Sequence, residues 1–228
     1  AFGVLDAWST YGDATFTVGP TGSGAKYITD GTSDEVQINA AITAANAAGG
    51  GTVHLFAGTY TTLAPITMKS NVWLRGSGMG STKVLASSSW DTALATNNAL
   101  IQAVGIDGAT MPLTADVALG DDTVNLTAGT AFGLVAVGDY LILMSEQLWD
   151  PIGSTSPRKV GELVKVHAKY AASFDIMGIA RHQYLVSDAA QARKLNFVEN
   201  IKISDLDLSQ ASAKMTKPNI GSCVLLQK

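Results

Sequence analysis

The chain is poor in cysteine and in long apolar runs. Cys223 is the only cysteine, so no intrachain disulfide framework exists and packing must stabilise the fold. No run approaches the roughly 18 apolar residues of a membrane-spanning helix. The first residues, AFGVLDAWSTYGD, lack the basic start and apolar stretch of a signal peptide. We therefore expect no membrane insertion.

Charge is also scarce. Charged residues make up 15% of the chain, the net charge is −4, and Lys and Arg form no cluster. Because nucleic acid phosphates are held by basic surface, this pattern argues against nucleic acid as a partner. It is compatible with a neutral or anionic sugar polymer.

The abundant residues predict short strands and tight turns. The chain has 23 glycines, and Thr, Ser, Asn, Val and Ala dominate long stretches. Hydrophobic residues reach 46%, which is enough for a sizeable core. These features predict an all-β or β-rich chain.

One helix is well marked, over Asp34–Ala48. Thr32 and Glu35 have the spacing of a capping box, and three glycines follow the last helical residue. Isoleucines at 38 and 42 form an adjoining stripe. The main apolar stripe at helical spacing consists of Val36, Ala40, Ala41, Ala44, Ala45 and Ala48.

Short alternating segments follow the helix, at 52–56, 71–75 and 82–86, and recur at 200–208. Each is bounded by Gly, Pro, Ser or Asn. Such strands cannot bury their apolar faces alone, whereas stacking them as successive coils produces one continuous core.

The motifs DGTSDEVQINAAITAANAAGGGTVHLFAGTY and APITMKSNVWLRGSGMGSTKVL, at 30–60 and 64–85, carry a family resemblance. They resemble the opening of the pectate-lyase-like β-helix family, which is found in phage tailspikes and tail appendages and in polysaccharide lyases. The resemblance implies a right-handed parallel β-helix with an N-terminal capping helix. It also implies a homotrimer, and it leaves calcium open as a cofactor, although no acidic cluster here demands one.

The resemblance and the patterns together predict four regions. Four alternating segments between the coils predict a small inserted antiparallel β subdomain, similar to an insertion seen in phage β-helix proteins. The last residues, SCVLLQK, begin another coil without a cap, so we expect the chain to continue in a longer protein. The regions are an N-terminal extension at 1–29, the capping helix and first coils at 30–110, the insertion at 111–195 and further β-helix at 196–228.

Two sets of residues are candidates for catalysis. Asp205 and Asp207 lie on one side of the NIKISDLDL segment and could supply paired carboxylates for sugar cleavage. The alternative is structural, with Asp205 in a turn and Asp207 facing solvent. Arg181 and His182 have the types that β-elimination needs, a cation and a base, but a solvated loop would show the same residues. The three histidines are too widely spaced to predict a metal site.

A polar loop at 145–159 supplies four of the five carbohydrate-binding candidates, and Tyr184 lies outside it. Trp149 could stack on a sugar ring, while carboxylates and a guanidinium bind its hydroxyls. Alternatively, Trp149 anchors the loop by packing under it. The candidate carbohydrate-binding residues are Glu146, Trp149, Asp150, Arg158 and Tyr184.

These observations lead to one functional hypothesis and two alternatives. The first is a phage tailspike or tail-appendage protein, in the virion tail or outside the cell, that binds and depolymerises a bacterial surface polysaccharide. The second is a secreted bacterial polysaccharide lyase or hydrolase. The third is a non-catalytic structural module. Whether these residues contain the catalytic coils stays open at this point.

Overall fold

The computed structural model describes residues 15–87, 99–148 and 159–210, and the backbone of 224–227. The fold is mostly β, as the composition predicts. The chain divides into two compact units, the solenoid unit at 1–104 and 197–228 and the inserted unit at 105–196. The strands and helices are β1 Thr15–Pro20, β2 Tyr27–Thr29, α1 Glu35–Ala47, β3 Gly51–Leu55, β4 Gly58–Thr62, β5 Ile66–Thr67, β6 Val72–Arg75, β7 Thr82–Ala86, β8 Ile101–Val104, β9 Ile106–Pro112, β10 Thr123–Asn125, α2 Thr130–Gly133, β11 Tyr140–Leu148, β12 Lys159–Lys169, β13 Ser173–Ile176, a short 3-10 helix Val186–Asp188, β14 Gln191–Asn196, β15 Lys202–Ser204, β16 Asp207–Gln210 and β17 Val224–Gln227.

The solenoid unit is wound through three parallel sheets. The first sheet has the order β15-β6-β3-β1-β2, the second β16-β7-β4 and the third β17-β8-β5. The chain visits these sheets in the same order three times, at β3–β5, β6–β8 and β15–β17, and all the pairings are parallel. Each pass is therefore one coil. Residues 15–29, which the sequence assigns to an extension, contribute β1 and β2 to the first sheet.

Stacked turns align the coils. Asn71 and Asn200 precede the first-sheet strand of successive coils, and both adopt left-handed backbone conformations, with φ of 63° and 53°. The Asn200 side-chain amide donates a hydrogen bond to Asn71 Oδ1 at 3.0 Å. Asparagine tolerates this conformation better than most residues, so the two side chains can hold equivalent corners in register.

The core of the solenoid unit runs through successive coils. Alternation sends every second residue of the first sheet inward, so that Phe16, Val53, Leu74 and Ile203 occupy matching positions on four strands. Val53 and Leu74 are fully buried and belong to one hydrophobic cluster with the buried face of α1. Stacking thus gives each short strand the partner that it lacks alone.

Helix α1 confirms the predicted helix, but two sequence details are wrong. The buried face consists of Ile38, Ala41, Ile42 and Ala45, whereas Val36 of the predicted stripe is 59% exposed. The larger isoleucines bury more apolar area than alanines, so they decide which face packs on the strands. The capping box is also absent, because Asp34 is the N-cap residue and makes no capping hydrogen bond.

Polar side chains of α1 fasten the helix to the first coil. The buried Glu35 carboxylate accepts a hydrogen bond from the Leu63 amide at 3.0 Å. Asn39 accepts from the Thr67 amide at 2.8 Å and donates to the Pro65 carbonyl at 3.1 Å. These bonds satisfy backbone groups that the bend between β4 and β5 would otherwise leave unpaired.

The inserted unit is a six-stranded antiparallel sheet with the order β10-β13-β12-β11-β14-β9. The four predicted segments, at 123–127, 139–143, 162–166 and 173–177, correspond to β10, β11, β12 and β13, and the structure adds β9 and β14. Both added strands lie near the unit's ends, where Ile106 pairs with Asn196. A separate hydrophobic cluster, which includes the fully buried Phe174 and Tyr184, forms this unit's core.

Candidate functional site

A cleft of about 610 Å³ opens on the inserted unit. It lies over β11, β12 and the loop that follows β13. Buried Val164 and Ile176 line it together with partly exposed apolar side chains. The remaining lining residues are Tyr140, Glu162, Leu163, Lys165, Met177, Gly178, Ile179 and Arg181.

Exposed apolar side chains are the unusual feature of this cleft. Leu163 is 57% exposed, Met177 62% and Ile179 60%. Grouped exposed apolar surface rimmed by charge is typical of a binding site rather than of a structural face. The cleft can therefore accept the apolar face of a ligand.

An aromatic ring and a cation lie together across two strands of the cleft. Tyr140 on β11 and Lys165 on β12 are register partners, and Lys165 Nζ lies 5.3 Å from the centre of the Tyr140 ring. Tyr140 is 37% exposed. This pair presents a planar surface next to a positive charge, the combination that suits a polar ring with an acidic substituent.

The Glu162 carboxylate fixes the far side of the cleft. Both of its oxygens accept hydrogen bonds from the Arg181 backbone amide, each at 3.1 Å. The turn at Gly178, with φ of 108°, brings this loop back over β12. Because the bonds use the Arg181 backbone, its guanidinium is not required to hold the loop.

The predicted pair of Arg181 and His182 is divided by the structure. Arg181 lines the cleft, whereas His182 is half-buried and does not line it. Glu162 is the one carboxylate among the cleft-lining residues that the structure describes. The cleft therefore lacks the second carboxylate that paired-carboxylate cleavage needs, whereas its apolar and charged lining can bind a ligand.

The prediction that Tyr184 contacts carbohydrate is contradicted by its burial. Tyr184 is 0% exposed and belongs to the core of the inserted unit. Burial, followed by the nearby Glu162 carboxylate, raises the pKa of its hydroxyl. The Glu162 carboxylate is close enough to act on the Tyr184 hydroxyl electrostatically, but the two groups are not oriented to form a hydrogen bond. A ring in this position packs in the core of the inserted unit and cannot stack on a ligand.

Asp205 and Asp207 hold a corner between two coils. Asp205 has φ of 59° and joins β15 to β16, and its carboxylate pairs with Arg75 at 3.2 Å. The Asp207 carboxylate accepts a hydrogen bond from the Gly80 amide at 2.8 Å. Both side chains thus bind the preceding coil, which favours the structural interpretation over the catalytic one.

The predicted polar loop is described only at its edges. Glu146 forms an exposed ion pair with Lys159, with 2.5 Å between Lys159 Nζ and a carboxylate oxygen. Trp149, Asp150 and Arg158 lie outside the described residues.

In the part of the chain that the structure describes, no three His, Cys, Asp or Glu side chains are grouped to hold a metal ion. Over the same residues, no helix has the length and apolar character needed to cross a bilayer.

Sequence reasoning missed most of the cleft. Tyr140, Leu163 and Lys165 belong to segments predicted as strands, but the sequence did not show which strands are neighbours. The signal available was the apolar run MGI at 177–179 beside Arg181, which is unusually apolar for a loop.

One family model matches part of the inserted unit. Residues 109–196 match the family model described as K1 capsule-specific polysaccharide lyase, Rider domain. The match spans most of the inserted unit and less than half of the chain.

Solved structures similar to this chain include three phage tailspikes. The Gp54 tailspike of Acinetobacter baumannii bacteriophage AP22, solved in complex with A. baumannii capsular saccharide, has a TM-score of 0.57 and 16% identity, over 83% of this chain and 28% of that chain. The tailspike gp61 of Pseudomonas phage phi297 has a TM-score of 0.53 and 19% identity, over 83% and 30%. The tailspike gp49 of Pseudomonas phage LKA1 has a TM-score of 0.51 and 16% identity, over 76% and 31%. These likenesses confirm the predicted tailspike resemblance at the level of fold.

Curated relatives match a shorter stretch. Mannuronan C5-epimerase AlgE5 of Azotobacter vinelandii is 47% identical over 70 residues, which cover 27% of this chain and 7% of the epimerase. AlgE6 of the same organism is 49% identical over 63 residues, 24% of this chain and 7% of that protein. The chain therefore spans a small part of these epimerases and less than a third of the three tailspikes.

Proposed function

We propose that this chain is part of a tailspike-like protein that binds and depolymerises a bacterial surface polysaccharide. One observation carries the proposal: a unit that matches the Rider domain of a capsule-specific lyase interrupts a three-sheet parallel winding whose fold is similar to that of three phage tailspikes. The fold alone is shared by many activities, so the Rider match supplies the functional part of the argument.

The cleft on the inserted unit is the proposed saccharide contact. Pyranose rings have an apolar C–H face and polar edges, and the cleft offers apolar side chains beside a tyrosine ring. Lys165 and Arg181 supply positive charge for a carboxylate or sulfate on the polymer. Glu162 already accepts the Arg181 amide and acts in positioning.

The finer architecture belongs to the same proposal. We infer a right-handed pectate-lyase-like winding, because parallel crossover connections are almost always right-handed. The resemblance further supports a homotrimer located in the virion tail or outside the cell. Hydrolysis by paired carboxylates would require residues beyond the cleft, since Glu162 is the one carboxylate that lines it.

Polysaccharide binding can be tested on the whole chain. The protein is titrated against an array of bacterial capsular and lipopolysaccharide glycans, and each glycan that binds is then assayed for reducing ends and for unsaturated products. We expect binding to a subset of acidic glycans, with release of shorter chains. If none of the glycans binds, the proposal is contradicted. If glycans bind but yield neither new reducing ends nor unsaturated products, binding stands and depolymerisation is excluded.

A pair of variants tests the cleft itself. Arg181→Ala leaves the backbone bond to Glu162 intact and removes the guanidinium, so we expect about tenfold weaker binding. Lys159→Ala is the matched control, because it removes a positive charge from an exposed ion pair on the same unit. Equal affinities for Arg181→Ala and the unsubstituted chain would exclude the cleft as the contact.

The epimerase similarity supports a second candidate function, a polyuronate-modifying enzyme with the same fold. An epimerase inverts a sugar carbon without shortening the polymer. Nuclear magnetic resonance of a polyuronate after incubation separates the two candidates: altered stereochemistry at constant chain length favours epimerisation, and shorter chains favour depolymerisation.

A further inference from the structure

The outer face of the first parallel sheet carries an aromatic and basic cluster that the cleft does not include. Alternation on β6 buries Val72 and Leu74 completely, so Trp73 and Arg75 point outward. Parallel register places Trp73 between Thr52 on β3 and Lys202 on β15. Trp73 is therefore not a core residue.

A chain of hydrogen bonds fixes the indole. Trp73 Nε1 donates to Ser204 Oγ at 3.0 Å, and Ser204 Oγ donates to Asp205 Oδ2 at 2.9 Å. The same Asp205 oxygen accepts from Arg75 Nε at 3.2 Å. The half-buried ring is therefore held in one orientation before any ligand arrives, which lowers the entropic cost of binding.

Positive charge surrounds this fixed ring. Lys202 Nζ lies 4.0 Å from the Trp73 ring centre and the Arg75 guanidinium carbon 5.4 Å from it. His54, the register partner of Arg75 on β3, adds an imidazole to the same face. The carboxylate in the cluster, Asp205, is engaged by Arg75 and Ser204. Trp73, Arg75, Lys202 and His54 are called the basic indole face below.

Cations beside an aromatic plane suit a ligand that is both apolar and anionic. A pyranose ring can pack its C–H face against the indole, and a carboxylate on that ring can then pair with Lys202 and the guanidinium of Arg75. A neutral sugar would gain the packing alone, and a phosphate chain has no apolar face. The strand spacing of the sheet, about 4.8 Å, repeats along the coils and matches an extended polymer better than a compact ligand.

We propose that the basic indole face is a binding site for a carboxylated polysaccharide, separate from the cleft on the inserted unit. The inference rests on the proposed function and deepens it, because it names uronate-like sugars as the class that the solenoid unit recognises. Trp73 supplies the packing surface, and Lys202 and Arg75 supply the charge.

An oligogalacturonate is the probe for this site, and a maltooligosaccharide of equal length is the neutral control. Calorimetric titration of the whole chain at low salt should show tighter binding of the oligogalacturonate, with an affinity that falls as salt is added. Trp73→Ala and Lys202→Gln should each weaken binding by about tenfold, and Trp73→Phe by less. Lys83→Gln on β7 removes a charge from a different sheet and should leave the affinity unchanged.

Thermal unfolding of each variant shows whether it is folded, and Trp73→Phe together with Lys202→Gln tests the site even if Trp73→Ala unfolds. Equal oligogalacturonate binding by Lys202→Gln and the unsubstituted chain, or no binding by the latter, would overturn the inference. If capsular glycans bind Trp73→Phe and Lys202→Gln undiminished, the proposed function stands and this site is wrong. If only the oligogalacturonate binds, and does so through Trp73, the site stands and the capsular function is wrong.

Discussion

Asp34 on the capping helix accepts a hydrogen bond from the backbone amide of Thr61 on β4, at 2.7 Å. Its second oxygen accepts from the Gly31 amide at 2.9 Å, and the residue is 0% exposed. One buried carboxylate thus joins the loop before the helix to a strand of the first coil. Asp34 therefore stabilises the contact between the helix start and the first coil.

Removing the two hydrogen bonds that Asp34 accepts should destabilise the solenoid unit. Asp34→Ala leaves the amides of Gly31 and Thr61 without their acceptor, so we expect the free energy of unfolding to fall by about 2 kcal/mol or more. Asp34→Asn keeps one oxygen and should lose less. Urea denaturation measures the change, and Val36→Ala, at an exposed position of the same helix, is the control. An equal loss in both alanine variants would show that helix propensity, and not the loss of these hydrogen bonds, is responsible.

Gly76 lies where two coils touch. A Cβ built at this position would stand 2.0 Å from the Asp205 carbonyl oxygen, a distance that backbone atoms cannot accept. Gly76→Ala should therefore cost about 2 kcal/mol or more, by forcing the corner of the third coil away from the second. Gly133→Ala, with nothing within 4 Å, should change stability by less than about 0.5 kcal/mol. A stable Gly76→Ala variant by differential scanning calorimetry would refute this packing.

Tyr184 and Tyr170 are a buried and an exposed tyrosine of the inserted unit, so they can be compared directly. Tyr184 is 0% exposed and Tyr170 is 54% exposed, with its hydroxyl donating to Asp175 at 2.9 Å. Tyr184→Ala should destabilise the unit by about 3–5 kcal/mol through the cavity it leaves, and Tyr170→Ala by less than about 1 kcal/mol. Chemical denaturation of both variants checks the difference. Similar losses would place Tyr184 outside the core.

The stability of the solenoid unit should depend on pH through His54. Burial, and then the Arg75 guanidinium, lower the pKa of His54 below its ordinary value of 6.5. The unfolded chain, which keeps the ordinary pKa, therefore binds a proton more readily than the folded chain in the interval below 6.5. Unfolding becomes easier as pH falls through this interval.

The measurement compares urea midpoints at about pH 7.5 and about pH 5.5, on either side of the histidine range. His54→Gln can keep a hydrogen bond to Ser77, which His54 Nε2 contacts at 3.0 Å, but it cannot titrate. We expect a smaller loss of stability on acidification in this variant. The same pH dependence in both proteins would assign the effect to other groups.

The inserted unit should fold without the solenoid. It has its own hydrophobic cluster, and its ends are joined because Asn196 Nδ2 donates to the Ile106 carbonyl at 3.0 Å. We expect a fragment of residues 105–196 to unfold cooperatively and to give dispersed amide resonances. A fragment with the spectrum of an unfolded chain would show that the unit depends on its attachment.

The sequence predicts the positions of the helices and strands better than it predicts which strands pair. β7 begins and ends where its pattern predicts, since Gly and Ser bound it on one side and alternation defines the rest. The sequence predicts the helix to within one residue at each end, but its alanine-rich stripe does not coincide with the buried face. Which apolar stripe is buried depends on side-chain volume against the neighbouring strands, and the sequence does not show those neighbours.

The candidate sites were harder to predict for the same reason. Trp73 and Lys202 are register partners, and Tyr140 and Lys165 meet across two strands of the inserted unit. Neither pair has any local sequence signal, because strand register is decided by packing over the whole sheet. Burial was equally invisible for Tyr184, whose polar neighbours in sequence resemble those of a surface loop.

The pairing of Ile106 with Asn196 should also affect the rate of folding. Strands β6 and β15 pair although a long stretch of sequence separates them. Contacts between residues far apart in sequence slow folding. If residues 105–196 collapse first, their joined ends turn a long flexible tether into a short one, and the entropy lost in closing it shrinks. In that case, early folding of the inserted unit would bring β15 close to β6 before the two strands pair.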